Sequence, residues 1–222
     1  MLKSIKANMG WSSKAKLKSI RKITLGVCAM DKKVKSKPMR EMLSRLSPDL
    51  FEIRFYGDDM LLNEPIETWP VVEVLIAFYS TNFPTEKALA YIQLHNPYLI
   101  NDLRMDSTLK DRRKVYDLLK GQGIDIPKHV YLNRDTDPDN SIVEEYDEFL
   151  VVNGVQLKKP VVEKPVNSED HNIYIYYPQS SGGGSKRLFR KVNDRSSEFY
   201  PTINEVRREG AFIYEEFVVT QV

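Results

Sequence analysis

Between Glu163 and Val192 the chain reads EKPVNSEDHNIYIYYPQSSGGGSKRLFRKV. These residue types suit the handling of phosphate better than nucleophilic attack. Lys164 closes an apolar run and His171 follows it; after an aromatic stretch come Gly182, Gly183 and Gly184, then Lys186, Arg187, Arg190 and Lys191. A lysine leaving a strand can act as a point charge on a phosphate, or can simply stand in solvent. Consecutive glycines can form a flap that brings backbone N–H groups close to a phosphate, or can merely close a flexible hairpin. The spacing of SGGGSKR fits neither a Walker A loop nor a dinucleotide-binding fingerprint. His171, taken alone, is equally an ordinary loop histidine. Lys32 and Lys33 directly follow the run ITLGVCAM. If that run is a strand of a parallel sheet, they lie beyond its carboxyl end, where such sheets bind ligands. Glu215 and Glu216 in FIYEEF can pair with lysines or present backbone groups to a base. No Ser-His-Asp set and no metal-spaced histidine cluster is visible.

The elements that must position these residues follow from the apolar pattern. KITLGVCAM, LFEIRFYG, VVEVLIAFYS and PYLIND read as strands, and KPMREMLSRLS and PTEKALAYIQLH as helices, with Pro38 suited to a first turn. Their order predicts parallel βαβ units over residues 20–104. STLKDRRKVYDLLKGQGI reads as a helix with Leu109, Val115, Leu118 and Leu119 on an apolar stripe, stopped at Gly121 or Gly123. This gives a helical linker over 105–124. From 125 to 222 the segments HVYLNR, EFLVVNGVQLKK, VVEKPV, NIYIYY, RLFRKV and AFIYEEFV predict an antiparallel sheet, with Asn153-Gly154 at a hairpin turn. The fold class is therefore α/β: a small parallel α/β domain followed by an antiparallel α+β lobe.

At 222 residues the chain can bury a sizeable core, and no run approaches the roughly 18 apolar residues of a membrane span. The single Cys28 excludes an internal disulfide and a cysteine-based zinc site, and fits a reducing cytosol or nucleus. Net charge is only +2, but residues 1–40 hold twelve Lys and Arg against the single acid Asp31. That entrance favours an anionic partner: nucleic acid, acidic lipid or a polyphosphate. Nothing in it forms a recognised nucleic-acid reading motif, so no nucleic-acid partner is expected. Residues 1–19 are expected to be a disordered basic tail.

In combination these features carry a resemblance. The stretches GVCAMDKKVKSKPMREML, LLNEPIETWP, NDLRMDSTLKDRRKVY, FIYEEF and the lysine-to-glycine segment resemble the N-terminal part of the kinase domain of the diphosphoinositol pentakisphosphate kinases. The resemblance implies a domain preceding an ATP-grasp fold, a short linker, then the first ATP-grasp lobe. It implies phosphorylation of inositol hexakisphosphate and diphosphoinositol pentakisphosphate with ATP and Mg²⁺ in the cytosol. It places ATP contacts on Arg112, Lys164, His171, Arg190 and the hinge Glu215, Glu216, Phe217 and Val218. Inositol phosphate contacts fall on Lys32, Lys33, Arg190 and Lys191; Lys164 and Arg190 are the catalytic candidates, with Gly182, Gly183 and Gly184 as a flap. The family's Mg²⁺ ligands belong to a second lobe and have no counterpart before Val222. The expectation is a truncated kinase domain with impaired turnover and uncovered apolar surface on NIYIYY and FIYEEF. The alternative is a non-catalytic module that binds inositol polyphosphate or nucleotide.

Overall fold

The run from Leu25 to Ala29 is apolar at successive positions, which suits a strand buried on both faces. A computed structural model, describing residues 21–219, bears this out. The expected tail, residues 1–19, lies outside the described residues. Two compact units divide the chain, Met1–Leu103 and Arg104–Val222.

In the first unit, β1 (Ile23–Ala29) is followed by α1 (Asp31–Val34), α2 (Lys37–Ser44), β2 (Phe51–Phe55), α3 (Gly57–Asn63), β3 (Val74–Phe78), α4 (Thr85–His95) and β4 (Tyr98–Leu99). The sheet order is β2-β1-β3-β4 and every pair is parallel. Leu25, Val27 and Ala29 pack with Val34, Met39 and Leu43 of α1 and α2, while Cys28 and Met30 join Leu61, Trp69, Tyr91 and Ile92 on the other face. Burial pushes the Cys28 thiol up to about 12, as expected of an inert core cysteine. Ser36 caps α2 through its hydroxyl, which accepts from Met39 N, and Pro38 sits in the first turn. Helix α3 is absent from the sequence reading, although two parallel strands need a crossover between them. Its seven residues, GDDMLLN, are too few to show a helical period.

The second unit opens with α5 (Asp106–Leu109) and α6 (Arg112–Gly121). Then come β5 (His129–Asn133), β6 (Val143–Glu145), β7 (Phe149–Val152), β8 (Val155–Lys158), β9 (Val161–Pro165), β10 (Ile173–Tyr176), β11 (Ser185–Val192), β12 (Arg195–Tyr200) and β13 (Ala211–Glu216). Six strands form an antiparallel sheet in the order β12-β11-β10-β9-β13-β5, and β6-β7-β8 form a small second sheet. The hairpin at Asn153-Gly154 is as expected, with φ of 48° and 77°. A second two-residue turn, Asn193-Asp194 with φ of 48° and 65°, joins β11 to β12. Its partner strand RSSEFY is too polar to announce itself.

Two expectations are corrected here. The single long helix is two helices, and Leu109 and Leu118 are 56% and 43% exposed rather than on a buried stripe. Val115 and Leu119 are half-buried, and polar side chains of α6 also engage the sheet, as described below. The apolar strands of the large sheet are not bare either. Tyr176, Phe212 and Tyr214 pack with Leu150, Val152 and Leu157 of the small sheet, and Ile175 and Ile213 are buried as well.

One carboxylate organises the covered face. Glu163 on β9 is fully buried. Its Oε1 accepts from Arg207 Nε at 2.5 Å and Tyr176 Oη at 3.2 Å, and its Oε2 from Tyr214 Oη at 2.8 Å and Arg207 N at 3.1 Å. Burial, then the Glu163 charge, push both tyrosine hydroxyls upward, so they remain donors. Removing one member strands the others. Glu163→Ala is expected to cost about 3–5 kcal/mol, measured by urea denaturation; a loss below about 1 kcal/mol would deny Glu163 this role.

Candidate functional site

Strand β9 alternates, so Lys164 points away from the face that buries Glu163. Its register partner across the sheet is Ile213 on β13, and Glu215, two residues further along β13, lies on the same face. Lys164 Nζ forms an ion pair with Glu215 Oε1 and donates to Tyr116 Oη at 3.1 Å, while Tyr116 Oη donates to Glu215 Oε2. The side chain of Lys164 is 25% exposed and that of Glu215 only 6%. Tyr116 rises from α6; its ring meets His129 edge-on at 5.0 Å and lies 5.8 Å from the Lys164 ammonium. Burial, then the Glu215 carboxylate, push the Tyr116 hydroxyl well above its ordinary range. Lys164 is thus neither a solvated strand-end lysine nor an isolated charge: it belongs to a closed three-residue network.

The loop that follows Lys164 is held by arginines. Arg112, at the start of α6, donates through Nη1 to the carbonyls of Pro165 and Asn167 and through Nη2 to those of Ser168 and Asp170. Its backbone N–H reaches Val166 O at 3.0 Å. Burial draws the Arg112 guanidinium below its ordinary value, while Tyr116, Asp170 and Glu215 act in the opposite sense. Arg113 faces elsewhere: its Nη2 meets Asp111 Oδ2 at 2.7 Å, and Asp111 caps α6 by accepting from Arg113 N at 2.9 Å. From the other side Arg190 Nη2 donates to Glu169 O at 3.1 Å. The exposed His171 ends this loop. Lys164, Arg112, His171 and Arg190 therefore converge on one short segment.

The remaining candidates are placed as follows. Lys191 is exposed and pairs with Asp194 at 2.6 Å beside the hairpin turn. Glu216 Oε1 accepts from Lys158 N at 3.2 Å, and Phe217 N–H reaches Pro160 O at 3.0 Å. Phe217 and Val218 are exposed. Glu215 differs from the other hinge residues: its side chain is buried and committed to Lys164 and Tyr116. Lys32 and Lys33 belong to the first unit, exposed on α1 just past β1. Lys33 borders a cleft with Ser36, Pro38, Met42 and Phe78.

The three glycines have a structural cause. All have positive φ, at 95°, 66° and 79°. A Cβ on Gly184 would stand 2.8 Å from the backbone oxygen of Tyr200. Their N–H groups are also engaged: Gly182 with Gln179 O at 2.9 Å, Gly183 with Pro178 O at 3.1 Å, and Gly184 with Asn204 Oδ1 at 2.6 Å. The expectation of donors open to a phosphate is therefore corrected: in this conformation the turn is tied down. Sequence reasoning missed Tyr116, Glu163, Asn204 and Arg207. Of these only Glu163 leaves a trace, as a charge inside an apolar run.

Residues 23–111 match the diphosphoinositol pentakisphosphate kinase 2 N-terminal domain family. Over 204 residues, 90% of the chain, the sequence is 50% identical to the inositol hexakisphosphate and diphosphoinositol-pentakisphosphate kinase 2 of Homo sapiens. Over 201 residues, again 90% of the chain, it is 51% identical to the corresponding kinase VIP1 of Arabidopsis thaliana. By sequence, residues 23–111 match that N-terminal domain family and the chain is similar to these kinases over 90% of its own length. It spans 16% and 19% of the lengths of those two relatives. Among solved structures it is similar to a D-alanine–D-alanine ligase from Bacillus anthracis, with TM-score 0.48, 12% identity, and coverage of 90% of this chain and 58% of the ligase. A likeness of that size adds nothing to the assignment. No described helix is long and apolar enough to cross a membrane.

The N-cap of α6 offers a test of the local architecture. Hydrogen bonding to Arg113 holds the Asp111 carboxyl below its ordinary value. Its contribution is therefore present above the unfolded carboxyl value of about 3.9 and is lost as pH falls through the lower folded value. Asp111→Ala is expected to cost about 1 kcal/mol at pH 7, and the gap from wild type should shrink in acid. A pH-independent gap in urea titrations would contradict this.

Proposed function

We propose that this chain supplies the nucleotide-phosphate and inositol-polyphosphate contacts of an ATP-dependent kinase acting on inositol hexakisphosphate and diphosphoinositol pentakisphosphate, in the first lobe of an ATP-grasp fold and in a cytosolic setting. What supports the reading is the gathering of Arg112, Lys164, His171 and Arg190 about one loop, in a chain about half identical to such kinases. In this reading Lys164, Arg112 and His171 meet the nucleotide phosphates and residues 215–218 meet the base. Inositol polyphosphate meets Lys32 and Lys33 on the first unit, and Lys191 and Arg190 on the second are further contacts for it, Arg190 also meeting ATP. The glycine turn contributes shape, and donors only if it opens.

The residue types agree with the chemistry. The acceptor is a phosphate oxygen already ionised near neutral pH, so no general base is needed to make the nucleophile. The obstacle is the approach of two strongly negative molecules, and fixed cations lower it. Mg²⁺, the family's expected metal, would neutralise phosphate charge. The side chains gathered here do not fit it: they are mostly cations, and the Glu215 carboxylate is taken by Lys164 and Tyr116. Among the described residues no three His, Cys, Asp or Glu side chains come together as a metal site.

Turnover of labelled ATP with inositol hexakisphosphate tests the activity, and titration calorimetry with each ligand tests the site. Lys164→Ala should weaken ATP binding by about 1.5–3 kcal/mol, the worth of a charge-assisted contact. An unchanged affinity would remove Lys164 from the site. Lys32→Ala with Lys33→Ala should weaken inositol polyphosphate binding and leave ATP nearly unaffected; equal loss of both ligands would refute a separate acceptor surface. Binding without turnover would make the chain a binding module.

A further inference from the structure

We infer that Tyr116 is a positioning residue for nucleotide phosphate. It holds the Lys164 ammonium in place and covers the Glu215 carboxylate that would otherwise repel the anion. The inference rests on the reading of Lys164 as a phosphate contact and adds to it a residue of helix α6.

A lysine is a poor fixed charge, because four rotatable bonds let the ammonium wander and ordering them costs entropy. Here two groups remove that freedom. The ammonium donates to Tyr116 Oη at 3.1 Å and pairs with Glu215 Oε1, which leaves its third hydrogen for an incoming acceptor. The 25% exposure of the Lys164 side chain is the opening through which that acceptor would arrive. Glu215 alone would be an ambiguous partner. It orients the lysine, yet it places a negative charge beside a site meant for phosphate. Tyr116 resolves the conflict by donating its hydroxyl to Glu215 Oε2, so that both carboxylate oxygens are occupied. The hydroxyl is suited to this work, since burial and the carboxylate keep it protonated. The ring is fixed independently of the hydroxyl, edge-on to His129 at 5.0 Å. Tyr116→Phe therefore removes the two hydrogen bonds and leaves the packing.

The test is a double-mutant cycle in ATP affinity, measured by calorimetry on wild type, Tyr116→Phe, Lys164→Ala and the double variant. Tyr116→Phe is expected to weaken ATP binding about three- to tenfold, the worth of one or two hydrogen bonds. In the Lys164→Ala background the part of this loss that acts through the lysine is gone, so the effect should be clearly smaller than in wild type, with only the uncovering of Glu215 remaining. A merely structural tyrosine would weaken binding by the same factor in both backgrounds, and that result overturns the proposal. Tyr131→Phe serves as a control, because that hydroxyl bonds Asp117 at 3.2 Å on the same face without touching Lys164. It should leave affinity unchanged, and a loss equal to that of Tyr116→Phe would also count against the assignment. The lysine ammonium resonance supplies a readout that does not depend on nucleotide. A protected Lys164 signal in wild type, lost in Tyr116→Phe, supports the network; its persistence in Tyr116→Phe overturns it. If wild type shows the protected signal and binds no ATP, the network stands as geometry, but the phosphate role fails together with the reading of Lys164.

Discussion

Strand β9 carries a carboxylate and an ammonium on adjacent residues, and the pleat sends them to opposite faces of the sheet. Glu163 goes to the dry side, where four donors meet it, and Lys164 goes to the side where α6 and the 165–171 loop lie. A slip of one residue would exchange the two. It would bury an ammonium among Tyr176, Tyr214 and Arg207 and turn a carboxylate toward the phosphate-binding candidates. The paired charges thus fix the register of β9 between β10 and β13, and with it the position of every candidate cation in this unit. Buried ion pairs are weak sources of net stability but effective against alternative pairings, and this is the use the arrangement supports.

Arg207 extends that constraint beyond the sheet. Its guanidinium lies 5.1 Å from the Tyr174 ring and 4.2 Å from the Phe212 ring, and it donates to Asn172 O at 2.9 Å. Asn172 directly follows His171, so the lock on the covered face also reaches the end of the candidate loop. Arg112 and Arg190 hold the middle of the same loop by its carbonyls. The loop is fixed at its start by β9, along its length by two arginines, and at its end by a third.

The parallel unit was legible because its signals are local: a continuous apolar strand buried on both faces, Ser36 and Pro38 opening α2, and apolar runs at crossover spacing. The Asn153-Gly154 hairpin was legible because positive φ at both turn positions selects those residues. Helix α3 and strand β12 were not, since one is too short for a period and the other is polar on an edge. The candidate site divides the same way. Lys164, Arg190 and the glycines stand out in the sequence, but Tyr116, the partner of Lys164, and Asn204, the partner of Gly184, are brought in from distant positions. No local pattern marks a tyrosine on a polar helix as the partner of a lysine 48 residues away. The glycines also show how a local signal can mislead. Their positive φ was readable, whereas the engagement of all three N–H groups depends on Asn204 and on the chain's own preceding turn.

How the cations are held bears on what they can attract. A guanidinium bonded to a carboxylate is neutralised by it, as Arg113 is by Asp111. A guanidinium bonded to neutral carbonyls keeps its full charge while losing its freedom. Arg112 and Arg190 are of the second kind toward the 165–170 loop, with carbonyl acceptors for each. Rigid, unneutralised positive charge is what a polyanion site requires, because a preorganised cation need not be reoriented when the anion arrives. Lys164 reaches the same end by another route. Its carboxylate partner is shared with a phenol, which draws off part of the negative charge that would oppose the ligand. The sheet and α6 together thus convert side chains that are individually mobile and solvated into a fixed positive field.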